Sequence, residues 1–146
     1  RNLMVLDAGN PGVLDFQDAV VGPVTYDLVS LLKDCYIAWP PERVVDWALG
    51  YQGLACQSGV ITEQDSATFL RWMDLMGLQR HLKVCGIFAR LNIRDAKPHY
   101  LDDLPQTLAY ILEVAARYPE LAGLTALLHE RVLPAMGSHG VPAGRS

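Results

Sequence analysis

A cluster of turn formers, Asp7-Ala8-Gly9-Asn10-Pro11-Gly12, separates the apolar run Leu3-Met4-Val5-Leu6 from a second run that begins at Val13-Leu14. Two short apolar runs joined in this way specify a β-hairpin. With Leu6 facing Pro11 and Met4 facing Val13, Asn2 stands opposite Asp15. Opposed residues of an antiparallel pair share a face, with Cβ atoms about 5 Å apart. An amide oxygen and a carboxylate meeting at the open end of a hairpin suit a hard divalent cation such as Mg2+. A plain hairpin with a polar end fits the same pattern, so the expectation rests on the register.

Beyond the hairpin the chain reads as helical, and the expected fold is mainly α: a short N-terminal β-hairpin followed by a bundle of about five helices. The first helix spans residues 23–36, with Leu28, Leu31 and Leu32 on its inner face. Pro40-Pro41-Glu42 opens a second, since proline presets φ and an acid suits the first turn; Gly59 ends it. Thr62-Glu63-Gln64-Asp65 has the spacing of a capping box and starts the third and longest, reaching about Asn92. A fourth covers residues 99–118 and a fifth follows Pro119 to Met136, leaving 137–146 as a flexible tail.

Composition narrows the function class. The 146 residues carry a formal charge of −4 and no run of Lys or Arg, which argues against a nucleic-acid surface. No apolar stretch approaches the roughly 18 residues that span a bilayer. Three widely spaced cysteines, Cys35, Cys56 and Cys85, outline neither a disulfide framework nor a zinc clamp, and a reducing cytoplasm is the natural setting. Hydrophobic residues make up 51% against 19% charged, rich for a chain this small and consistent with a lobe that buries one face against a partner.

Three segments taken together are specific: Arg1-Asn2-Leu3-Met4-Val5-Leu6, then Gly12-Val13-Leu14-Asp15-Phe16-Gln17-Asp18-Ala19, then Gly22-Pro23-Val24-Thr25-Tyr26-Asp27-Leu28-Val29. The string resembles the C-terminal lobe of the aminoglycoside phosphotransferase family, which includes choline, homoserine and amino-sugar kinases. Its closest likeness is to bacterial kinases of N-acetylmuramate and N-acetylglucosamine. In that family H-x-D-x-x-x-x-N precedes a hairpin, an Asp in an I-D-W or I-D-F context follows, and Y-D-L-A opens a helix. The resemblance implies a protein kinase-like C-lobe over residues 1–136, with a metal-binding hairpin at 1–18 and a helical subdomain at 23–136. It implies ATP as co-substrate and Mg2+ on Asn2 and Asp15. The family's catalytic Asp lies five residues before the position of Asn2, hence before residue 1, and the phosphate-covering loop and ATP-holding Lys are absent from this chain. The resemblance therefore implies the back half of a kinase, inactive without its N-terminal lobe; an exposed lobe surface leaves homodimerisation open. Another acceptor within the family, or a non-catalytic helical module, is the alternative.

Within that frame Asp27, in the first turn of its helix, matches an Asp that braces the catalytic segment. Asp34 sits near the end of the same helix, where the dipole disfavours an acid, and the resemblance puts that end beside the acceptor pocket. Asp34, Arg80 and, more weakly, Asp18 are therefore candidates to bind substrate, with a solvated surface acid the alternative for Asp34. At 100° per residue Val84, Ile87, Phe88 and Leu91 form one apolar stripe of the third helix, and Leu78, Leu82, Cys85 and Ala89 form a second. Arg80 falls inside the first stripe. A guanidinium there needs a partner, because an unpaired buried charge costs several kcal/mol. Asp27, Asp34 and Asp74 are candidates for an internal ion pair, and a substrate carboxylate or phosphoryl group is the sharper possibility. Tyr36, Trp39, Trp47 and Trp72 are expected in the core, with Tyr36 and Trp39 as the alternative sugar platform. His99, His129 and His139 carry no metal-ligand spacing.

Overall fold

The computed structural model describes residues 3–15, 17, 20–62 and 65–137. Two strands, β1 (Leu3–Met4) and β2 (Gly12–Val13), pair antiparallel, and six α-helices follow: α1 (Thr25–Leu32), α2 (Pro41–Gln57), α3 (Ser66–Asp95), α4 (Leu104–Arg117), α5 (Ala122–Leu127) and α6 (Leu133–Gly137). A 3-10 turn (Pro98–Asp103) leads into α4, another (Pro119–Leu121) into α5, and a π-helical turn (Leu128–Val132) joins α5 to α6. The chain is thus mainly α with one N-terminal hairpin, as its sequence implies. The expected tail, except Gly137, lies outside the described residues.

The hairpin register differs by one residue from the expected one: Leu3 faces Val13 and Met4 faces Gly12. The cause is local. Leu6 donates its N–H to Asn10 Oδ1 at 2.7 Å, and Asn10 Nδ2 donates to the Leu6 carbonyl at 2.6 Å, so a side-chain amide takes the place of an opposing backbone. That clamps Leu6 to position 10 and leaves Asp7-Ala8-Gly9 as a three-residue loop, which Gly9 closes at φ +73° without a Cβ penalty. Leu6 then folds over Gly12, where an added Cβ would approach its Cδ1 to 3.0 Å. A one-residue slip moves side chains to the other face. The opposition of Asn2 and Asp15 therefore does not follow from this ladder, and Asn2 itself lies outside the described residues.

Helix α3 is the spine. Its 30 residues rise about 45 Å, and two separate cores form along it. Val29, Val44, Phe69 and Met73 join α1 and α2 to its first half; Leu78, Leu108, Ile111 and Leu128 join α4 and the following turn to its middle. Asp65, not Thr62, caps it, accepting the Thr68 N–H at 2.9 Å and the Thr68 hydroxyl at 2.7 Å. At the far end Ala96 turns left-handed (φ +51°) and Lys97 N–H reaches the Leu91 carbonyl. Of the two expected stripes, Phe88 and Leu78 are buried, whereas Leu82 is 41% exposed and Ala89 is also exposed. Helix α1 stops at Leu32, four residues early, because the Asp34 carboxylate accepts the Cys35 N–H at 2.9 Å and competes with helical pairing. No helix among the described residues is long and apolar enough to cross a membrane.

Candidate functional site

Asp15 lies two residues past the last residue of β2, Val13, and is exposed. Its backbone is left-handed (φ +61°), a region few residues other than Gly enter and in which Asp and Asn are enriched. Strained backbone of this kind clusters where a side chain must be aimed. Its Oδ1 accepts Gln17 Nε2 at 2.8 Å. Asp18 lies outside the described residues. Asp27 is exposed in the first turn of α1.

Arg80 does not pair with Asp74. Six residues of helix leave the two about 120° apart around the axis and about 9 Å apart along it. Arg80 instead lies over the ring of Tyr26, Cζ 5.3 Å from its centroid, so α1 meets α3 through a cation–π contact. Among the described residues it makes no salt bridge. Asp34 is half-buried, with one oxygen occupied by the Cys35 N–H.

The buried acid is Asp74, 5% exposed. It accepts Lys33 Nζ at 2.9 Å, Arg117 Nη1 at 2.6 Å and Tyr118 OH at 2.9 Å. Burial alone would raise its pKa; the Lys33 ammonium, the Tyr118 hydroxyl and the Arg117 guanidinium outweigh burial and hold it below the usual carboxylate range. Arg117 also bonds Glu113 one turn earlier on α4. Three helices therefore converge on one carboxylate. Sequence reasoning named Asp74 only as an option for Arg80. The signal it missed was that Lys33 and Arg117 both lie at helix C-termini, where cations are favoured.

His81 is 1% exposed and stacks on Tyr110, ring centroids 4.8 Å apart and nearly parallel. Its Nε2 lies 2.9 Å from the Lys33 carbonyl, so the ring donates there, while Nδ1 is buried without a partner. Burial, then the Lys33 and Arg80 charges, push its pKa below the ordinary value despite that bond. A histidine held neutral on folding contributes stability above the unfolded pKa near 6.5 that is lost as pH falls toward the folded one. Melting temperature is thus expected to fall more steeply from pH 6.5 to 5 than in His81→Phe, which keeps the stacking surface but cannot titrate. Parallel curves would remove His81 from that dependence.

A cavity of about 90 Å3 opens beside this cluster, lined among others by Lys33, Trp39, Asp74, Tyr110 and Arg117. The aromatics expected in the core are not there: Trp39, Trp47 and Trp72 are 37%, 40% and 39% exposed and Tyr36 41%. Trp39 meets Trp47 edge-on at 5.3 Å. The described residues hold no cluster of three His, Cys, Asp or Glu that could bind a metal.

Residues 1–60 match the phosphotransferase enzyme family. The chain is 54% identical over 130 residues to the N-acetylmuramate/N-acetylglucosamine kinase of Pseudomonas putida, covering 89% of this chain and 38% of that protein. It is 52% identical over 132 residues to the enzyme of the same name from Neisseria meningitidis serogroup B, covering 90% and 39%. The corresponding Caulobacter vibrioides kinase is 39% identical over 119 residues, 82% of this chain and 31% of that one. The chain therefore spans under two fifths of the length of the curated relatives it matches.

Proposed function

From the match of residues 1–60 to the phosphotransferase enzyme family, we propose that the intact protein is an ATP- and Mg2+-dependent kinase of an amino sugar, N-acetylmuramate or N-acetylglucosamine. The observation that carries this reading is the 54% identity, over 89% of the chain, to a kinase of that name. This chain supplies the C-terminal lobe and is inactive by itself; the catalytic Asp and the ATP-covering lobe belong to the rest of the protein, which works in the cytoplasm.

Asn2 and Asp15 hold the Mg2+. Both offer oxygen, the donor this ion prefers, and Asp15 is an exposed carboxylate on a left-handed backbone two residues past β2. A divalent cation held by these two residues would supply charge neutralisation at the phosphoryl oxygens. Asp27 braces the catalytic segment from the first turn of α1, and Asp34, Arg80 and Asp18 contact the sugar. Arg80 suits that role because it is half-buried, pinned by Tyr26 and unpaired with any carboxylate among the described residues.

A substrate panel tests the reading. With ATP and Mg2+ the intact protein is expected to phosphorylate N-acetylmuramate and N-acetylglucosamine with kcat/KM at least 100-fold above choline, homoserine or an aminoglycoside, about 2.7 kcal/mol of discrimination. A higher kcat/KM on any of the latter would replace the amino sugar as acceptor.

A further inference from the structure

Helix α3 turns one narrow face toward the end of α1. Asp74 and His81 are seven residues apart, which leaves them about 20° apart around the helix and about 10 Å apart along it. Both hold the same residue: Asp74 accepts Lys33 Nζ at 2.9 Å, and the His81 Nε2–H donates to the Lys33 carbonyl at 2.9 Å. Gly77 lies between them, and a Cβ added there would stand 3.7 Å from Lys33 Cδ, so the lysine stem crosses this face in contact. Lys33 is the C-cap of α1, and its own N–H donates to the Val29 carbonyl at 2.9 Å. Lys33 is thus fixed at N–H, carbonyl and side chain.

From this arrangement we infer that His81 is a positioning residue for the acceptor, acting through the Lys33–Asp34 peptide to aim the Asp34 carboxylate. The inference rests on the reading above in which Asp34 contacts the sugar, and it adds a residue that this reading does not use. Three observations carry it. The peptide unit is planar, so a bond that fixes the Lys33 carbonyl also fixes the plane leading into Asp34; the Asp34 carboxylate is then held by the Cys35 N–H at 2.9 Å. The donor is itself rigid. The ring is 1% exposed and stacked on Tyr110 of α4, so two helices together set where Nε2 stands. Finally, packing alone does not account for an imidazole here. Its Nδ1 is buried without a partner, which costs stability that a phenyl ring on Tyr110 would not. Local rules are broken in this way at functional sites. The polar contact that the ring does make is the one to Lys33, at a helix end whose last carbonyls have no partner within the helix.

Steady-state kinetics of the intact protein with N-acetylglucosamine and ATP test the role. His81→Phe keeps a ring on Tyr110 and loses the donor. It is expected to raise KM for the sugar at least tenfold, with kcat within threefold and KM for ATP within twofold of wild type. His81→Gln, whose amide nitrogen can take the place of Nε2, is expected to bring the sugar KM back within threefold of wild type. Asp34→Ala is expected to raise the sugar KM at least tenfold by itself. Adding His81→Phe to it should change KM by no more than twofold, because one route carries both effects.

A sugar KM within twofold of wild type in His81→Phe, beside the rise in Asp34→Ala, overturns the inference and leaves the sugar contact of Asp34 in place. Multiplied effects in the double variant, an equal rise in KM for ATP, or no recovery in His81→Gln overturn it equally. Should His81→Phe not fold, His81→Asn, whose amide stops short of the Lys33 carbonyl, takes its place; loss of folding in both overturns the inference by assigning the bond to the fold alone. An unchanged sugar KM in Asp34→Ala removes instead the contact on which the inference stands, and the inference with it.

Discussion

Asp15→Asn in the intact protein is expected to lower kcat about 1,000-fold, about 4 kcal/mol of transition-state stabilisation, and to leave the fold unchanged. The substitution is chosen for its backbone. Asp15 sits at φ +61°, and Asn enters the left-handed region as readily as Asp. Asn also keeps an oxygen for the 2.8 Å bond from Gln17. What it removes is the charge that grips a divalent cation. Because the residue is exposed and outside both cores, stability should change by less than about 0.5 kcal/mol. Asp15→Ala provides the contrast: the same loss of kcat, with an added destabilisation of about 1 kcal/mol from a Cβ without local hydrogen bonding at positive φ. Steady-state turnover over a Mg2+ titration, paired with thermal melts, measures both. Turnover of Asp15→Asn within about fivefold of wild type would detach the metal from this residue.

What the sequence made legible depends on how local each signal was. Turn formers and apolar runs located the hairpin, and Pro41 and Glu42 located the start of α2, because those choices are made within one turn of chain. The register was missed because a side chain, Asn10, stands in for backbone, and no alternation of apolar residues records that. The early stop of α1 has the same origin in the Asp34 carboxylate. On α3 the 3.6-residue period identified the spine and its buried Phe88 and Leu78, yet it cannot say how far neighbouring helices extend, so Leu82 remained exposed. The meeting of Lys33, Asp74 and Arg117 spans 84 positions from first to last and depends on how α1, α3 and α4 pack. The sequence reading offered Asp74 to Arg80, although six residues of helix place the two on different faces of α3.

Asp74→Ala should destabilise the fold by about 3–5 kcal/mol, the range for removing one partner of a buried ion pair. The cost falls unevenly. Arg117 is half-exposed (49%) and retains Glu113, so it can turn toward water. Lys33 is only 13% exposed and loses its carboxylate while its backbone carbonyl still holds His81. Its ammonium is therefore stranded, with the Tyr118 hydroxyl left unsatisfied beside it. If stranded charge is the cause, removing it should restore stability. Lys33→Met combined with Asp74→Leu replaces the pair by hydrocarbon of similar size and should recover at least 2 kcal/mol over Asp74→Ala, since such exchanges are often neutral. The pH dependence has a fixed sign. Asp74 is held below the ordinary carboxylate value in the folded protein, so its contribution is complete above the unfolded pKa near 3.9 and disappears as pH falls through the folded one. Wild type should lose stability across that acid window faster than Asp74→Ala. Chemical denaturation at pH 7 and pH 3 distinguishes the cases: a cost below 1 kcal/mol at pH 7, or equal losses of the two proteins toward pH 3, would show that the three helices are held by their apolar contacts and that the carboxylate is incidental to their convergence.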